Sequence, residues 1–291
     1  MIKNKSLTIF QVDSFTGKPF AGNPAGVCVL EEPLDDSLMQ NIAAEMNLSE
    51  TAFAVKITAG SLVDAVKFNL RWFTPKCEVN LCGHATLATA KVLHSIYQLK
   101  SELITFSSLS GDLTAKKVRE MHQLDFPAGD IERVELTDYM INAMKLREYG
   151  LDDLVQESFR CKRSKKLMVR FSDQRGVHDI APNFPELLQA EEAFGTRGLI
   201  VTAKGDRPYD FISRFFAPSM GINEDPVTGA AHTVLTPYWS AMLGKKRLNA
   251  YQASNRGGEL IVEMREDPKG HYHRVLITGQ AVVIMEAVLK I

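Results

Sequence analysis

The chain contains one passage twice, first as Arg71-Trp72-Phe73-Thr74-Pro75 with Glu78 and Cys82-Gly83-His84-Ala85. The second copy is Arg214-Phe215-Phe216-Ala217-Pro218 with Glu224 and Thr228-Gly229-Ala230-Ala231. Arg, Phe and Pro recur at an offset of 143 residues, and Glu, Gly and Ala recur at 146. Because this offset is half of the 291-residue chain, the repeat predicts two related halves that face each other across one site.

Each copy has the pattern of a strand, a loop, and a glycine that opens a helix. The helix after Gly83 contains one charged residue, Lys91, and the helix after Gly229 contains none. A helix that is apolar all round is buried in a core or in a membrane, and these helices are too short to span a bilayer. We therefore predict an α/β (α+β) fold in which each half is a barrel-like, mostly antiparallel sheet wrapped around a central helix. Pro237 should kink the second helix or end its first section.

Composition and charge place the chain among ordinary globular proteins. It is 45% hydrophobic and 24% charged, and its formal net charge of −1 favours neither nucleic acid nor an anionic membrane as a partner. Four cysteines, no signal peptide and no long apolar run predict a reducing, cytoplasmic setting away from membranes. The turn-rich segment after Phe126 predicts domains at 1–128 and 129–291, with the option that the last C-terminal residues complete the first half.

Glu50 is the candidate acid/base. It lies in Asn47-Leu48-Ser49-Glu50-Thr51, between the end of a helix and an apolar strand. Burial against that strand would disfavour the charged carboxylate and raise its pKa, as a general acid/base requires. The plainer interpretation, which spacing alone favours, is a surface turn acid or a helix cap.

The first helix opening supplies further candidates. Gly83 lets the backbone approach a ligand closely, and the free N–H groups at Gly83 and Ala85 favour an anion such as a substrate carboxylate. His84 could share a proton, although it could equally be a packed core histidine. Cys82 could be a thiolate stabilised by the helix N-terminus, or an inert buried cysteine.

The second helix opening contributes Asp225, Thr228, Gly229 and Ala230 as candidate site residues. Asp225 could orient His84 or hold a polar group of the substrate, and the alternative is a helix-start acid favoured by the dipole. We find no phosphate-cradling glycine loop and no metal-ligand spacing, so we expect no cofactor and no metal. The basic run from Lys162 to Lys166 predicts a solvated loop.

Several passages together resemble the PhzF-like isomerases, a family named after phenazine biosynthesis. They run through nearly the whole chain in order. They are Gln11-Val12-Asp13-Ser14-Phe15, Phe20-Ala21-Gly22-Asn23-Pro24-Ala25, Asn47-Leu48-Ser49-Glu50-Thr51-Ala52-Phe53, Phe73-Thr74-Pro75, Leu81-Cys82-Gly83-His84-Ala85-Thr86, Leu124-Asp125-Phe126-Pro127-Ala128, Glu224-Asp225-Pro226-Val227-Thr228-Gly229 and Ala231-His232.

The resemblance implies a diaminopimelate epimerase-like fold, a homodimer, and Glu50 as the acid/base with His84 and Asp225 beside it. Two departures from related patterns matter. The related epimerases and proline racemases use two opposed cysteines, whereas the counterpart of Cys82 is Thr228. Many PhzF-like members have serine where this chain has Ala230, which puts the phenazine precursor in doubt as the substrate.

Three hypotheses follow. The first is a cofactor-free isomerase that moves a proton on a small carboxylate-bearing substrate through Glu50. The second is a cysteine-dependent epimerase or racemase in which Cys82 works with a different second base. The third is a non-catalytic protein of the same fold that binds a small molecule.

Overall fold

The structure of the protein, a computed structural model, describes residues 6–57, 60–266 and 272–291, with backbone alone at 272 and 273. The chain divides into two compact units. The first comprises Met1–Phe126 and Ile277–Ile291, and the second comprises Pro127–Leu276. The last strand of the chain therefore belongs to the first unit, and the predicted boundary after residue 128 lies two residues from this division.

The first unit combines a sheet with two helices, α1 (Asp36–Met46) and α2 (Gly83–Ser95). Its strands are β1 (Ser6–Ser14), β2 (Asn23–Leu30), β3 (Glu50–Lys56), β4 (Lys67–Phe73), β5 (Glu78–Val79), β6 (Leu103–Ser108), β7 (Gly111–Val118), β8 (Met121–Pro127) and β18 (Ala281–Lys290).

The sheet of the first unit curls around α2. Its strands pair in the order β18-β1-β2-β3-β4-β6-β7-β8, and all pairs are antiparallel except β2–β3 and β4–β6. Helix α2 contacts β18, β1, β2, β3 and β7. In a flat sheet β18 and β7 would lie about 29 Å apart, which is more than twice the width of a helix. Both can touch α2 only because the sheet wraps around it.

The second unit combines a sheet with four helices. Its helices are α3 (Asp138–Ala143), α4 (Arg175–His178), α5 (Phe184–Phe194) and α6 (Gly229–Leu243). Its strands are β9 (Ile131–Arg133), β10 (Val155–Cys161), β11 (Lys166–Phe171), β12 (Leu199–Lys204), β13 (Phe211–Ala217), β14 (Ile222–Glu224), β15 (Arg247–Gln252), β16 (Gly258–Glu266) and β17 (Tyr272–Gly279), the last of which passes into the first unit at Ile277.

The two units share one pairing pattern, as the repeat predicts. From β1 to β7 the pairs run antiparallel, parallel, antiparallel, parallel, antiparallel. From β10 to β16 they follow the same sequence of directions. Among the described residues, no helix is both long enough and apolar enough to cross a membrane.

The repeated Arg and Glu form the same ion pair in each unit. Arg71 on β4 contacts both carboxylate oxygens of Glu78 at 2.7 Å. Arg214 on β13 contacts those of Glu224 at 2.7 and 2.9 Å. Each guanidinium also lies over the repeated phenylalanine, 5.1 Å from the ring of Phe73 or 4.8 Å from that of Phe216. These pairs join each repeated strand to the short strand that leads into the buried helix.

Pro237 does not end α6, which continues from Gly229 to Leu243. Proline has no N–H, so it leaves the carbonyl of Thr233, four residues earlier, without its helical donor. The backbone N–H of Gly129 donates to that carbonyl at 2.9 Å. The missing helical bond is therefore replaced from another segment. Of the two predicted outcomes, an end to the first section of the helix is wrong, and a kink at Pro237 stays a prediction.

Lys166 corrects the prediction of a solvated basic loop. It is the first residue of β11, and its side chain is buried. Burial lowers the pKa of its ammonium group, and electrostatic interactions with Cys161 and Asp225 act in the opposite direction. Its ammonium also lies 5.8 Å from the centre of the Phe215 ring. The pattern of charges alone does not reveal this, because the basic run continues directly into an apolar strand.

Candidate functional site

Glu50 reaches the site because the chain turns sharply before it. Helix α1 ends at Asn47, which adopts the left-handed conformation with φ of 49°, and β3 begins at Glu50. The strand then continues into the core between β2 and β4. The Glu50 side chain is 14% exposed, so its carboxylate lies at the edge of the core.

Helix α2 opens beside this carboxylate. Cys82 is the N-cap residue in extended conformation, and its side chain makes no capping bond. The first-turn N–H groups of a helix have no partner within the helix, so this opening suits an anion. Cys82, His84 and Ala85 are buried, and Gly83 is partly exposed at the opening.

Glu50, His84 and Cys82 form one cluster. His84 Nε2 lies 3.2 Å from Glu50 Oε2. The sulfur of Cys82 lies 3.5 Å from Nδ1 and 4.0 Å from Nε2 of the same imidazole. The side-chain amide nitrogen of Asn23 lies 3.2 Å from His84 Nδ1.

The surroundings make His84 a neutral imidazole. Burial lowers its pKa from 6.5 to about 3. The amide of Asn23 donates to Nδ1, which assigns the imidazole proton to Nε2, the nitrogen that faces Glu50. A neutral His84 places no positive charge beside the Glu50 carboxylate, whose Oε2 lies 3.2 Å from Nε2.

The ends of β1 and β2 hold this imidazole in place. Ser14 and Asn23 face each other in the antiparallel pair, and both are fully buried. The hydroxyl of Ser14 donates to the backbone carbonyl of His84 at 2.8 Å. Gly22 makes the turn possible, since it has φ of 65° and a side chain there would lie 2.1 Å from the Ser14 carbonyl oxygen.

The second helix opening is organised around Gln252. Its side-chain oxygen accepts from the Thr228 N–H at 2.8 Å, and its nitrogen donates to the Asp225 carbonyl at 2.7 Å. Thr228 donates its hydroxyl to the Asp225 carboxylate at 2.5 Å, so that hydroxyl does not cap α6. Gly229 is buried and Ala230 is partly exposed at the first turn. Gln252 thus joins the backbone of Asp225 to the start of α6.

The two openings correspond, but their chemistry differs. Cys82 and Thr228 are the N-cap residues of α2 and α6, which makes them counterparts. Thr51 pairs with Phe73, and Leu199 pairs with Phe216, which is the repeat of Phe73. Thr51 and Leu199 are therefore counterparts, and so are the residues that precede them, Glu50 and Gly198. A side chain at Gly198 would lie 2.5 Å from the Phe215 ring. The second unit therefore carries neither a thiol nor a carboxylate at the equivalent positions.

The predicted site residues fall into two groups, each within one unit. Glu50, Gly83, His84 and Ala85 belong to the first, and Asp225, Thr228, Gly229 and Ala230 belong to the second. The sequence analysis missed Ser14, Asn23 and Gln252. The first two lie in passages that carry the family resemblance, which was a usable signal, whereas nothing near Gln252 in the sequence singles it out. It also missed that Glu50, Cys82 and His84 together offer three metal-ligand atoms within 4.8 Å of one another.

Comparison with known proteins agrees with the predicted resemblance. The family model for phenazine biosynthesis-like proteins, PhzC-PhzF, matches residues 12–287. A phenazine biosynthesis-like domain-containing protein of Bos taurus is 46% identical over 97% of this chain and 99% of its own length. A protein of Pseudomonas aeruginosa described as an uncharacterized isomerase is 41% identical over 98% of this chain and 99% of its own.

Solved structures show the same fold. The crystal structure of a phenazine biosynthesis protein of the PhzF family from Enterococcus faecalis has a TM-score of 0.86 and 41% identity, covering 99% of this chain and 100% of that one. A hydroxyproline epimerase from Agrobacterium vitis, 8% identical, has a TM-score of 0.62 over 100% of this chain and 94% of its own, which shows a shared fold alone. The predicted epimerase-type fold is confirmed. Because the family model and these relatives match nearly end to end, the chain belongs to the phenazine biosynthesis-like (PhzC-PhzF) family.

Proposed function

We propose that the protein is a cofactor-free isomerase in which Glu50 moves a proton on a small carboxylate-bearing substrate. The observation that carries this proposal is the Glu50 carboxylate, mostly buried and 3.2 Å from a neutral imidazole at the opening of α2. The family membership and the isomerase description of the Pseudomonas relative support the reaction class.

The chemical steps need only one base. The Glu50 carboxylate takes a proton from a substrate carbon, and the electrons of the broken C–H bond move into an adjacent conjugated system. The protonated Glu50 then returns the proton to another carbon of the same substrate. His84, whose Nε2 lies 3.2 Å from Glu50 Oε2, positions this carboxylate beside the helix opening. Asn23 keeps the imidazole in the tautomer that this role requires.

The helix opening defines the substrate class. The backbone N–H groups near Gly83 can bind a carboxylate and stabilise negative charge that develops beside it. A single carboxylate base removes a carbon-bound proton only when that carbon is already acidified by a conjugated carboxylate or carbonyl. We therefore expect unsaturated or carbonyl-bearing acids as substrates, and simple amino acids to react poorly.

A metabolite screen in deuterated water tests the proposal. The protein is incubated with pools of small unsaturated and keto acids, and the products are scored by mass for uptake of one deuterium. The expected result is enzyme-dependent uptake into an acid of this class, together with a change in the position of a double bond or a hydrogen. Binding of such an acid without any exchange would instead support the non-catalytic hypothesis.

The absence of a cofactor is part of the proposal. Glu50, His84 and helix N–H groups suffice for proton transfer on an acidified carbon. Activity should survive exhaustive chelation followed by gel filtration. A complete loss that returns on addition of one metal or nucleotide would contradict this part of the proposal.

A thiol-dependent epimerase is the second candidate, because Cys82 lies at the N-cap of α2 in the same cluster as Glu50, 3.5 Å from His84 Nδ1. Its counterpart Thr228 cannot provide an opposed thiol. Cys82→Ser should retain most activity if Glu50 is the base, with exposed Cys77→Ser as the matched control. Loss of activity in Cys82→Ser alone would favour the thiol mechanism.

Asp225 is proposed to take part in the same reaction through its carboxylate. Thr228 donates its hydroxyl to this carboxylate, Gln252 donates to the backbone carbonyl of Asp225, and the buried Lys166 interacts with Asp225 electrostatically. Asp225→Asn keeps the shape and most of the hydrogen bonds. We expect it to lower turnover at least about tenfold while the protein stays folded. Full activity in this variant would limit the machinery to the residues of the first unit.

A further inference from the structure

Lys166 lies on the face of the second unit's sheet that packs against α6. Trp239 of α6 donates its indole N–H to the Thr202 hydroxyl at 3.0 Å, which identifies the face that Thr202 presents on β12. Because side chains along a strand alternate between the two faces, Gly198, four residues earlier, lies on the same face. The register of β11 and β12 places Lys166 directly beside Gly198, so the lysine side chain lies on this face as well.

Gly198 leaves room for the Phe215 ring, against which the Lys166 ammonium group lies. A Cβ atom at Gly198 would lie 2.5 Å from this ring, and Lys166 Nζ lies 5.8 Å from the ring centre. In the first unit the corresponding neighbours are Ala25 and Glu50. The first unit thus has a carboxylate beside an alanine where the second unit has a glycine beside an ammonium group.

The same phenylalanine connects this ammonium group to Asp225. The Phe215 carbonyl accepts from the Asp225 N–H at 3.0 Å, and the Asp225 carboxylate accepts from the Thr228 hydroxyl at 2.5 Å. Lys166 is only 8% exposed, and Asp225 interacts electrostatically with its ammonium group. A charge buried to this extent needs nearby groups that offset its lost hydration, and the ring and the carboxylate supply them. We propose that Lys166 is a positioning residue of the second helix opening, where its ammonium group keeps Asp225 in the charged carboxylate form.

Lys166 acts through Asp225 and not on the substrate. Asp225 is partly buried, and loss of hydration favours the protonated form of a carboxyl group, whereas a fixed ammonium group nearby favours the charged form. Removal of the ammonium group should therefore keep Asp225 protonated up to a higher pH. The effect on turnover rests on the proposed function, in which Asp225 takes part, whereas the effect on ionisation is independent of it.

Other titratable and charged groups surround this pair, and they are retained in every variant at position 166. They are Cys161 on β10, Arg170 on β11 with its partner Glu157, Glu191 of α5, which accepts from the Gly198 N–H, Glu224, which pairs with Arg214, and His232 of α6, which contacts the Thr228 carbonyl. His232 is neutral near pH 7 because burial lowers its pKa to about 4. A difference between such a variant and the wild type therefore reports the Lys166 ammonium group.

The test is a carbon-13 NMR titration of the aspartate carboxyl groups in the whole protein, with the Asp225 resonance assigned by its loss in Asp225→Asn. Lys166→Met and Lys166→Gln both remove the charge, and each should move the Asp225 titration midpoint to higher pH by at least about one pH unit. Lys166→Arg keeps the charge and should keep the midpoint close to that of the wild type. The matched control is Lys165→Met, which removes an exposed neighbouring ammonium group and should leave the midpoint unchanged.

A second readout uses a substrate found by the deuterium screen. The exchange rate of Lys166→Met, relative to the wild type, should be at least about threefold lower at pH 6 than at pH 8, because a purely structural defect would not depend on pH in this way. An unchanged Asp225 midpoint in folded Lys166→Met or Lys166→Gln would overturn the inference, whatever the screen finds. A shifted midpoint with a pH-independent rate ratio would overturn the link to turnover. Failure of the deuterium screen alone would leave the NMR titration valid and would count against the proposed function.

Discussion

Lowering the pH should destabilise both units through histidines that are buried in neutral form. Burial lowers the pKa of His84 and His122 to about 3, and that of His232 to about 4. For His122 the nearby His94, Lys91 and Lys117 add to the effect of burial. His84 and His122 belong to the first unit and His232 to the second.

The sign and size of the effect follow from proton linkage. An imidazole in the unfolded chain has a pKa of about 6.5, so below that pH the unfolded state binds more protons than the folded state. The contribution of these histidines to the free energy of unfolding is fully present above about pH 6.5, and it is lost as the pH falls toward about 3 to 4. Between pH 6.5 and 5.5 each histidine removes about 1 kcal/mol, giving about 2 kcal/mol for the first unit and about 1 kcal/mol for the second. Carboxyl groups titrate mainly below this window.

The assay is urea unfolding followed by circular dichroism at pH 7.5, 6.5 and 5.5. His122→Gln should reduce the loss between pH 6.5 and 5.5 by about 1 kcal/mol, because it removes one buried imidazole. The matched control is His178→Gln, which removes an exposed imidazole and should keep the wild-type dependence. A wild-type free energy of unfolding that stays constant across this window, or an unchanged dependence in His122→Gln, would refute the reasoning.

Three further predictions concern stability around the repeat and the site. Arg214→Ala should cost at least about 1 kcal/mol more than Arg71→Ala in urea unfolding. Arg214 also donates to three backbone carbonyls, those of Val177, His178 and Ile180, whereas the additional partner of Arg71 is the exposed carboxylate of Asp36. Equal losses would contradict this. Gly26→Ala should destabilise the protein by about 1–3 kcal/mol and lower turnover, because the added methyl group lies 2.9 Å from the Thr51 hydroxyl next to Glu50. A variant with the wild-type melting temperature and rate would contradict this prediction. Pro237→Ala should change the free energy of unfolding by less than about 1 kcal/mol, because the Gly129 N–H already donates to the Thr233 carbonyl. An increase near 3 kcal/mol in the same unfolding assay would contradict this and show that the proline strains the helix.

The sequence predicts most of the fold because the repeat records it. Arg71, Phe73 and Glu78 recur as Arg214, Phe216 and Glu224, and these residues form the same contacts in both units. The buried helices were equally visible, since an uncharged helix must be covered. The burial of Lys166 and the continuity of α6 through Pro237 were not predictable, because they depend on segments distant in sequence.

Local signals were also missed where they were present. The sequence analysis assigned no helix to residues 184–194, although Asn183 caps α5 by accepting from the Glu186 N–H and Gly195 ends it in the left-handed conformation. Within the site, Glu50, His84 and Cys82 were found as separate candidates. That they form one cluster follows from the pairing of β2 with β3 and the position of α2, which no spacing in the sequence expresses.

The most direct test of the central claim is deuterium exchange into the substrate found by the screen, compared between Glu50→Gln and Glu45→Gln. Glu45 is exposed on α1, so its replacement is a matched loss of one carboxylate. The account predicts that Glu50→Gln loses at least about 100-fold in exchange rate while its circular dichroism and unfolding midpoint stay close to wild type. It predicts that Glu45→Gln exchanges at the wild-type rate. A folded Glu50→Gln protein that exchanges at the wild-type rate would contradict the assignment of Glu50 as the acid/base.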